Sequence, residues 1–212
     1  MKNNKTVVGL LIGLLVLVLV TAGVLIYNKV TTPDYSNVPN PTVTITMESG
    51  DVINLELFPA IAPNTVANFV ELAESGYYDG LIFHRVLPGK LIQGGDPMGN
   101  GTGGPGYCIK GEFTANGFQN DISHTRGVIS MARSSAFDSA GSQFFIMESD
   151  VTSLDHQYAA FGKVTDEESL TTIDKIGTTA VDSNDKPLTE WRIKTITVDT
   201  KGYTYKAVKL NK

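Results

Sequence analysis

The chain has 212 residues, 42% of them hydrophobic and 18% charged, which suits one well-buried core with an appendage rather than several large domains. The net charge is −5, yet the first thirty residues carry Lys2, Lys5 and Lys29 with no acid; subtracting those three charges leaves −8 on residues 31–212, which argues against a nucleic-acid partner. The single cysteine, Cys108, rules out an intrachain disulfide, and His84, His124 and His156 lack the spacing of zinc ligands.

Residues 1–6 read as a short cytoplasmic N-terminus and residues 7–27 as a transmembrane signal-anchor. From Val7 to Ile26 the run carries no charge and at ~1.5 Å per residue would reach about 30 Å, enough to cross a bilayer core. That exceeds the apolar stretch of a cleaved signal, so a retained anchor is expected, with secretion as the outcome if the segment is cut. Lys2 and Lys5 precede the run, which places the N-terminus in the cytoplasm and the rest of the chain outside the cell membrane. Residues 28–41 contain Pro33, Pro39 and Pro41 and show no period, so they read as a linker spanning on the order of 20 Å.

Val43, Ile45 and Met47 alternate before Ser49-Gly50-Asp51, and Ile53, Leu55 and Leu57 alternate after it, which predicts a β-hairpin. Pro63 then opens a helical pattern through Val66, Phe69, Val70 and Ala73 that ends at Gly76. Short apolar runs follow between glycine-rich loops, at Leu81–Leu87, Leu91–Gln93, Gly127–Ala132, Gln143–Met147 and Tyr158–Val164, and predict a barrel or sandwich. Asp166 is a good N-cap for a second helix through Leu170, Ile173 and Ile176, closing at Gly177. Trp191–Val198 supplies a last strand within a domain expected over 42–200, and 201–212 form a basic tail with no assigned structure.

The richest stretch is Phe83-His84-Arg85-Val86-Leu87-Pro88-Gly89, followed by Gln93-Gly94-Gly95-Asp96. Then come Gly99-Asn100-Gly101-Thr102-Gly103-Gly104, Gly127-Val128-Ile129-Ser130-Met131-Ala132, Gly141-Ser142-Gln143-Phe144-Phe145-Ile146 and Phe161-Gly162-Lys163-Val164. These five blocks, in this order, resemble the cyclophilins, and the resemblance covers roughly Thr42 to Asp199. It implies a mainly β fold: a closed eight-stranded antiparallel barrel capped by two helices. The implied activity is peptidyl-prolyl cis-trans isomerisation with no cofactor or metal, acting as a monomer on proline-containing segments of unfolded or refolding proteins.

Carried over by position, Arg85 matches the catalytic arginine, Gln93 the glutamine beside it and Phe145 the floor of the proline pocket. Leu91 and Leu154 match further pocket positions, and Ala132, Arg133, Gln143 and Tyr158 match residues along the substrate groove. The chemistry needs no nucleophile. An X-Pro bond resists rotation because nitrogen shares its lone pair with the carbonyl, and a guanidinium against that nitrogen favours the twisted state in which the pair is localised.

Four positions depart from better-known members: Lys90 replaces an aromatic wall, Arg133 an asparagine, Ser153 a tryptophan and Tyr158 a histidine. Lys90 and Arg133 keep open an alternative reading, a non-catalytic proline-peptide binding module tethered on the same barrel. Without the surrounding blocks Arg85 would read as a buried structural arginine paired with Asp96 or Glu112, and with them it reads as catalytic; His84 reads as a hydrogen-bonded structural histidine. Phe144 and Phe145 should point to opposite faces of one strand. Gly99, Gly101 and Gly104 fit G-x-G-x-x-G, but Pro105 and the lack of a following helix make them a surface loop beside the groove.

Overall fold

The computed structural model describes residues 34–211. The expected membrane helix and the first part of the linker lie outside them, and no described helix is long and apolar enough to cross a membrane. The hairpin forms from β1 (Thr42–Met47) and β2 (Val52–Leu57), with Val43 opposite Leu55 and Ile45 opposite Ile53. Gly50 makes the turn possible at φ 90°, a backbone conformation that disfavours any Cβ.

β3 (Arg85–Leu87), β4 (Leu91–Gly94), β6 (Val128–Met131), β7 (Phe144–Met147), β8 (Ala160–Val164) and β9 (Ile193–Asp199) complete an eight-stranded sheet. Its order is β3-β4-β7-β6-β8-β2-β1-β9, antiparallel at every pairing. The sheet curls but does not close into the expected barrel, because β3 and β9 share no ladder. In place of one, the irregular stretch before β3 bonds to the approach to β9 and to its first residue, through Phe83 N–H to Trp191 O (2.9 Å) and Ile193 N–H to Leu81 O (2.8 Å). The run predicted as one strand over Leu81–Leu87 is therefore strand only from Arg85.

Helix α1 (Pro63–Glu74) lies nearest β9 and helix α2 (Glu167–Gly177) nearest β2. Phe69 of α1 is the hub of the main core, with Tyr78, Phe161 and Phe144 at ring separations of 5.2, 5.4 and 5.5 Å. The Asp166 carboxylate accepts from Ser169 N–H at 2.8 Å, the N-cap that the sequence predicts for α2.

Helix α1 has no such local cap, since Ala62 precedes it. The free amides of Asn64 and Thr65 instead donate to Glu112 at 3.0 and 2.7 Å, and the Thr65 hydroxyl donates to the same carboxylate at 2.7 Å. Glu112 is thus a cap supplied from 48 residues away, placed against the positive end of the helix. The tail is bound to the same helix: Val208 and the Asn64 side chain exchange two hydrogen bonds, and Tyr205 is buried. A two-stranded sheet of β10 (Leu210–Asn211) with β5 (Tyr107–Cys108) follows, an element without sequence signal.

Burial raises the pKa of Glu112 more than its hydrogen bonds lower it. Glu112→Gln should cost about 1–3 kcal/mol in urea unfolding, since buried donors lose an acceptor. The folded protein holds the Glu112 proton more tightly than the unfolded chain. The wild type's advantage over this variant should therefore be largest below pH 4.5 and narrow as pH rises through the raised value.

Candidate active site

Strand register assembles the site. Arg85 lies opposite Gln93, Gln93 opposite Phe145, and Phe145 opposite Ser130, forming one row across β3, β4, β7 and β6. Residues directly opposed in antiparallel strands project to the same face, so this row shares a face. Two positions along, Leu87, Leu91 and Met147 form a parallel row on that same face. The intervening residues Val86, Ile92, Ile146 and Phe144 belong to the main core beneath the helices. Phe144 and Phe145 divide between the faces as alternation requires.

On the site face a second apolar cluster contains Leu91, Val128, Phe145, Met147 and Ala160, fringed by Leu154, Tyr158 and Ala132. Its floor is stiffened by His124, a residue that no sequence motif singles out for the site. The buried imidazole stacks on the Phe145 ring at 5.9 Å and 19°. Its Nδ1 lies 3.0 Å from an Asp155 oxygen and its Nε2 3.1 Å from the Ser130 hydroxyl, so both ring nitrogens are fixed. Tyr158 meets Phe145 edge-on at 5.6 Å and forms a wall.

A groove of about 280 Å³ adjoins this cluster, lined in part by Gln93, Gly103, Ala132, Arg133 and Gln143. The Gln93 amide donates to Gln143 Oε1 at 3.0 Å, and Gln143 donates in turn to the carbonyls of Gly101 and Gly103 at 3.0 and 2.9 Å. This chain of amides ties the cross-strand row to the glycine loop, which runs beside the groove as expected. Asp96 holds the loop, accepting from the backbone of Met98, Asn100 and Gly101. Burial of Asp96 opposes ionisation, and those amides outweigh it, so its pKa falls below the usual value.

Arg85 pairs with neither Asp96 nor Glu112, which serve the loop and the helix. Its Nε and Nη2 both donate to one oxygen of Asp185 at 3.3 Å, in a half-exposed pair. His84 is buried, but neither ring nitrogen has a hydrogen-bond partner among the described residues, which corrects the expectation of a satisfied histidine. Lys90 sits exposed on the turn between β3 and β4 and is no part of the second cluster, while Ser153 is exposed on a short 3-10 turn. Arg133 is held among aromatic rings, its guanidinium 5.0 Å from Phe113, 5.0 Å from Phe137 and 4.8 Å from Tyr158, and it donates to Gln157 O at 3.0 Å.

Comparison with known proteins matches residues 42–198 to the family described as cyclophilin type peptidyl-prolyl cis-trans isomerase/CLD. Peptidyl-prolyl cis-trans isomerase B of Bacillus subtilis is 50% identical over 119 residues, which are 56% of this chain and 80% of that protein. The probable peptidyl-prolyl cis-trans isomerase A of Mycobacterium leprae is 40% identical over 178 residues, covering 77% of this chain and 94% of that one. A crystal structure of a Cryptosporidium parvum cyclophilin-type isomerase, determined in the presence of the dipeptide Ala-Pro, superposes with a TM-score of 0.65 at 36% identity; the match covers 74% of this chain and 98% of that one. The chain belongs to the cyclophilin-type family, and its enzyme class is peptidyl-prolyl cis-trans isomerase.

Burial lowers the pKa of both His84 and His124 below 6.5, against the pull of Asp96 on the first and of Asp155 on the second. The unfolded chain accepts protons that the folded protein resists, so stability is full above pH 6.5 and falls as pH drops toward the folded values. Urea midpoints should therefore decline from pH 7 to pH 5, and His84→Gln should make that decline shallower. An equal slope in both proteins would contradict the assignment for His84.

Proposed function

We propose that this chain accelerates rotation about X-Pro bonds in exported proteins as they fold outside the cell membrane, held there by residues 7–27. Within the site, Arg85 is the catalytic cation, Gln93 orients the bound peptide backbone, and Phe145 is the floor on which the proline ring rests. Leu91, Leu154 and Tyr158 enclose the ring, while Ala132, Arg133 and Gln143 border the flanking residues of the peptide. The observation that carries this reading is the single cross-strand row that sets a guanidinium, an amide and an aromatic floor on one face.

The energetics require both ends of that row. Shortening a relaxation from ~100 s to about a millisecond is a gain of roughly 10⁵, or ~7 kcal/mol. One preorganised donor typically supplies ~3–4 kcal/mol. The remainder must come from gripping the ring on Phe145 while the preceding carbonyl swings, so that binding energy is realised in the twisted state. Arg133 does not obstruct this, because its charge is occupied by three rings and by backbone carbonyls.

In a protease-free isomerisation assay on the full chain in detergent, Arg85→Ala should lose about 10²–10³ in kcat/KM. Arg85→Lys should recover little, since a point charge lacks the planar fork. Phe145→Ala in the Arg85→Ala background should cost less than it does alone, because the two act on one event. Peptide binding without turnover in the wild type would support the tethered binding module instead. The mass of the mature protein tests the anchor: the account expects residues 7–27 to be retained, and loss of about the first two dozen residues would refute it.

A further inference from the structure

We propose that Asp185 is a positioning residue that aims the Arg85 guanidinium across the proline site. The inference rests on the reading of Arg85 as the catalytic cation and goes beyond it. β3 is an edge strand, and the tip of the loop between Ala180 and Leu188 docks on its open side. The Asp185 carbonyl accepts from Val86 N–H at 2.8 Å, while its carboxylate takes both Nε and Nη2 of the preceding residue, Arg85. Backbone and side chain of one residue thus grip two neighbours on β3.

The tip is built to hold still. Asp182 N–H donates to Lys186 O at 2.9 Å, the Asp182 side chain accepts from the amides of Asn184 and Lys186 at 2.8 and 3.0 Å, and Leu188 N–H closes the base onto Ala180 O at 2.8 Å. Asp185 itself has φ 63°, a left-handed conformation uncommon outside glycine and a kind of backbone strain that concentrates at functional sites. As a stability device the pair is weak, since both partners are about 40% exposed. As an aiming device it is well suited. An arginine side chain has many rotamers, and fixing its Nε and Nη2 edge removes most of them. Nη1 has no hydrogen-bond partner among the described residues, so the donor that remains is directed by the pair that is made.

Two substitutions separate the carboxylate from the backbone. Asp185→Gly keeps the left-handed conformation, and with it the carbonyl bond to Val86, but removes the acceptor. Asp185→Asn tolerates the same φ and keeps an acceptor oxygen without the charge. In the full chain, with an Ala-Pro peptide as substrate, Asp185→Gly should lower kcat about tenfold, in line with the cost of a misaimed catalytic group, and leave KM nearly unchanged. Asp185→Asn should recover most of that loss, and in the Arg85→Ala background Asp185→Gly should cost nothing further. Wild-type kcat in Asp185→Gly, a rise in kcat, or the same loss when Arg85 is absent would each overturn the inference. Full activity in Arg85→Ala alone would instead overturn the reading of Arg85 on which it rests.

Discussion

The register between β3, β4 and β7 is the constraint on which the rest depends. A slip of one residue would send Arg85, Gln93 and Phe145 into the main core and bring Val86, Ile92 and Ile146 out to the site. Both faces of this part of the sheet are covered, one by the helices and one by the second apolar cluster, so a slip would be penalised on both sides. Core packing therefore selects the register, and the register aligns Arg85, Gln93 and Phe145 in one row. Stability and chemistry are fixed by the same hydrogen-bonded ladder, although they use alternate residues along it.

Each member of the row has its own support, and each support comes from a different part of the chain. His124 and Asp155 lie beneath Phe145, the Gln143 amide joins Gln93 to the glycine loop, and Asp185 reaches Arg85 from the approach to β9. Each of these groups is thereby held by contacts from beyond its own strand, as the proposed mechanism, built on placing charge, would require. The groove beside it is bordered by backbone carbonyls and small residues, and Arg133, the largest charge there, is held against Phe113, Phe137 and Tyr158.

What could be read from the sequence follows the range of each signal. Pro63, Asp166 and the alternation from Val43 to Leu57 act on their own neighbours, so both helices and the first hairpin were legible. The opposed faces of Phe144 and Phe145 follow from period 2 alone. The partner of Arg85 was not legible, because Asp185 is 100 residues away, and the two acids considered are taken by other tasks: Asp96 by a loop, Glu112 by a helix terminus. The closed barrel was implied by the family resemblance, and the apolar runs, which left barrel or sandwich open, do not reveal which edges pair and so could not correct it. The run over Leu81–Leu87 spends its first residues bridging to the approach to β9 rather than extending β3. His124 carried a faint signal, a lone histidine three residues before a block of the family motif, but nothing local announced that it would lie under Phe145.

The most direct test of the account is a crystal structure of the protein with a bound Xaa-Pro peptide. The pyrrolidine ring should rest on Phe145 between Leu91, Leu154 and Tyr158, with an Arg85 Nη atom within hydrogen-bond distance of the prolyl nitrogen and the Asp185 pair intact. A proline seated away from Phe145, or an Arg85 guanidinium turned from the prolyl nitrogen, would contradict it.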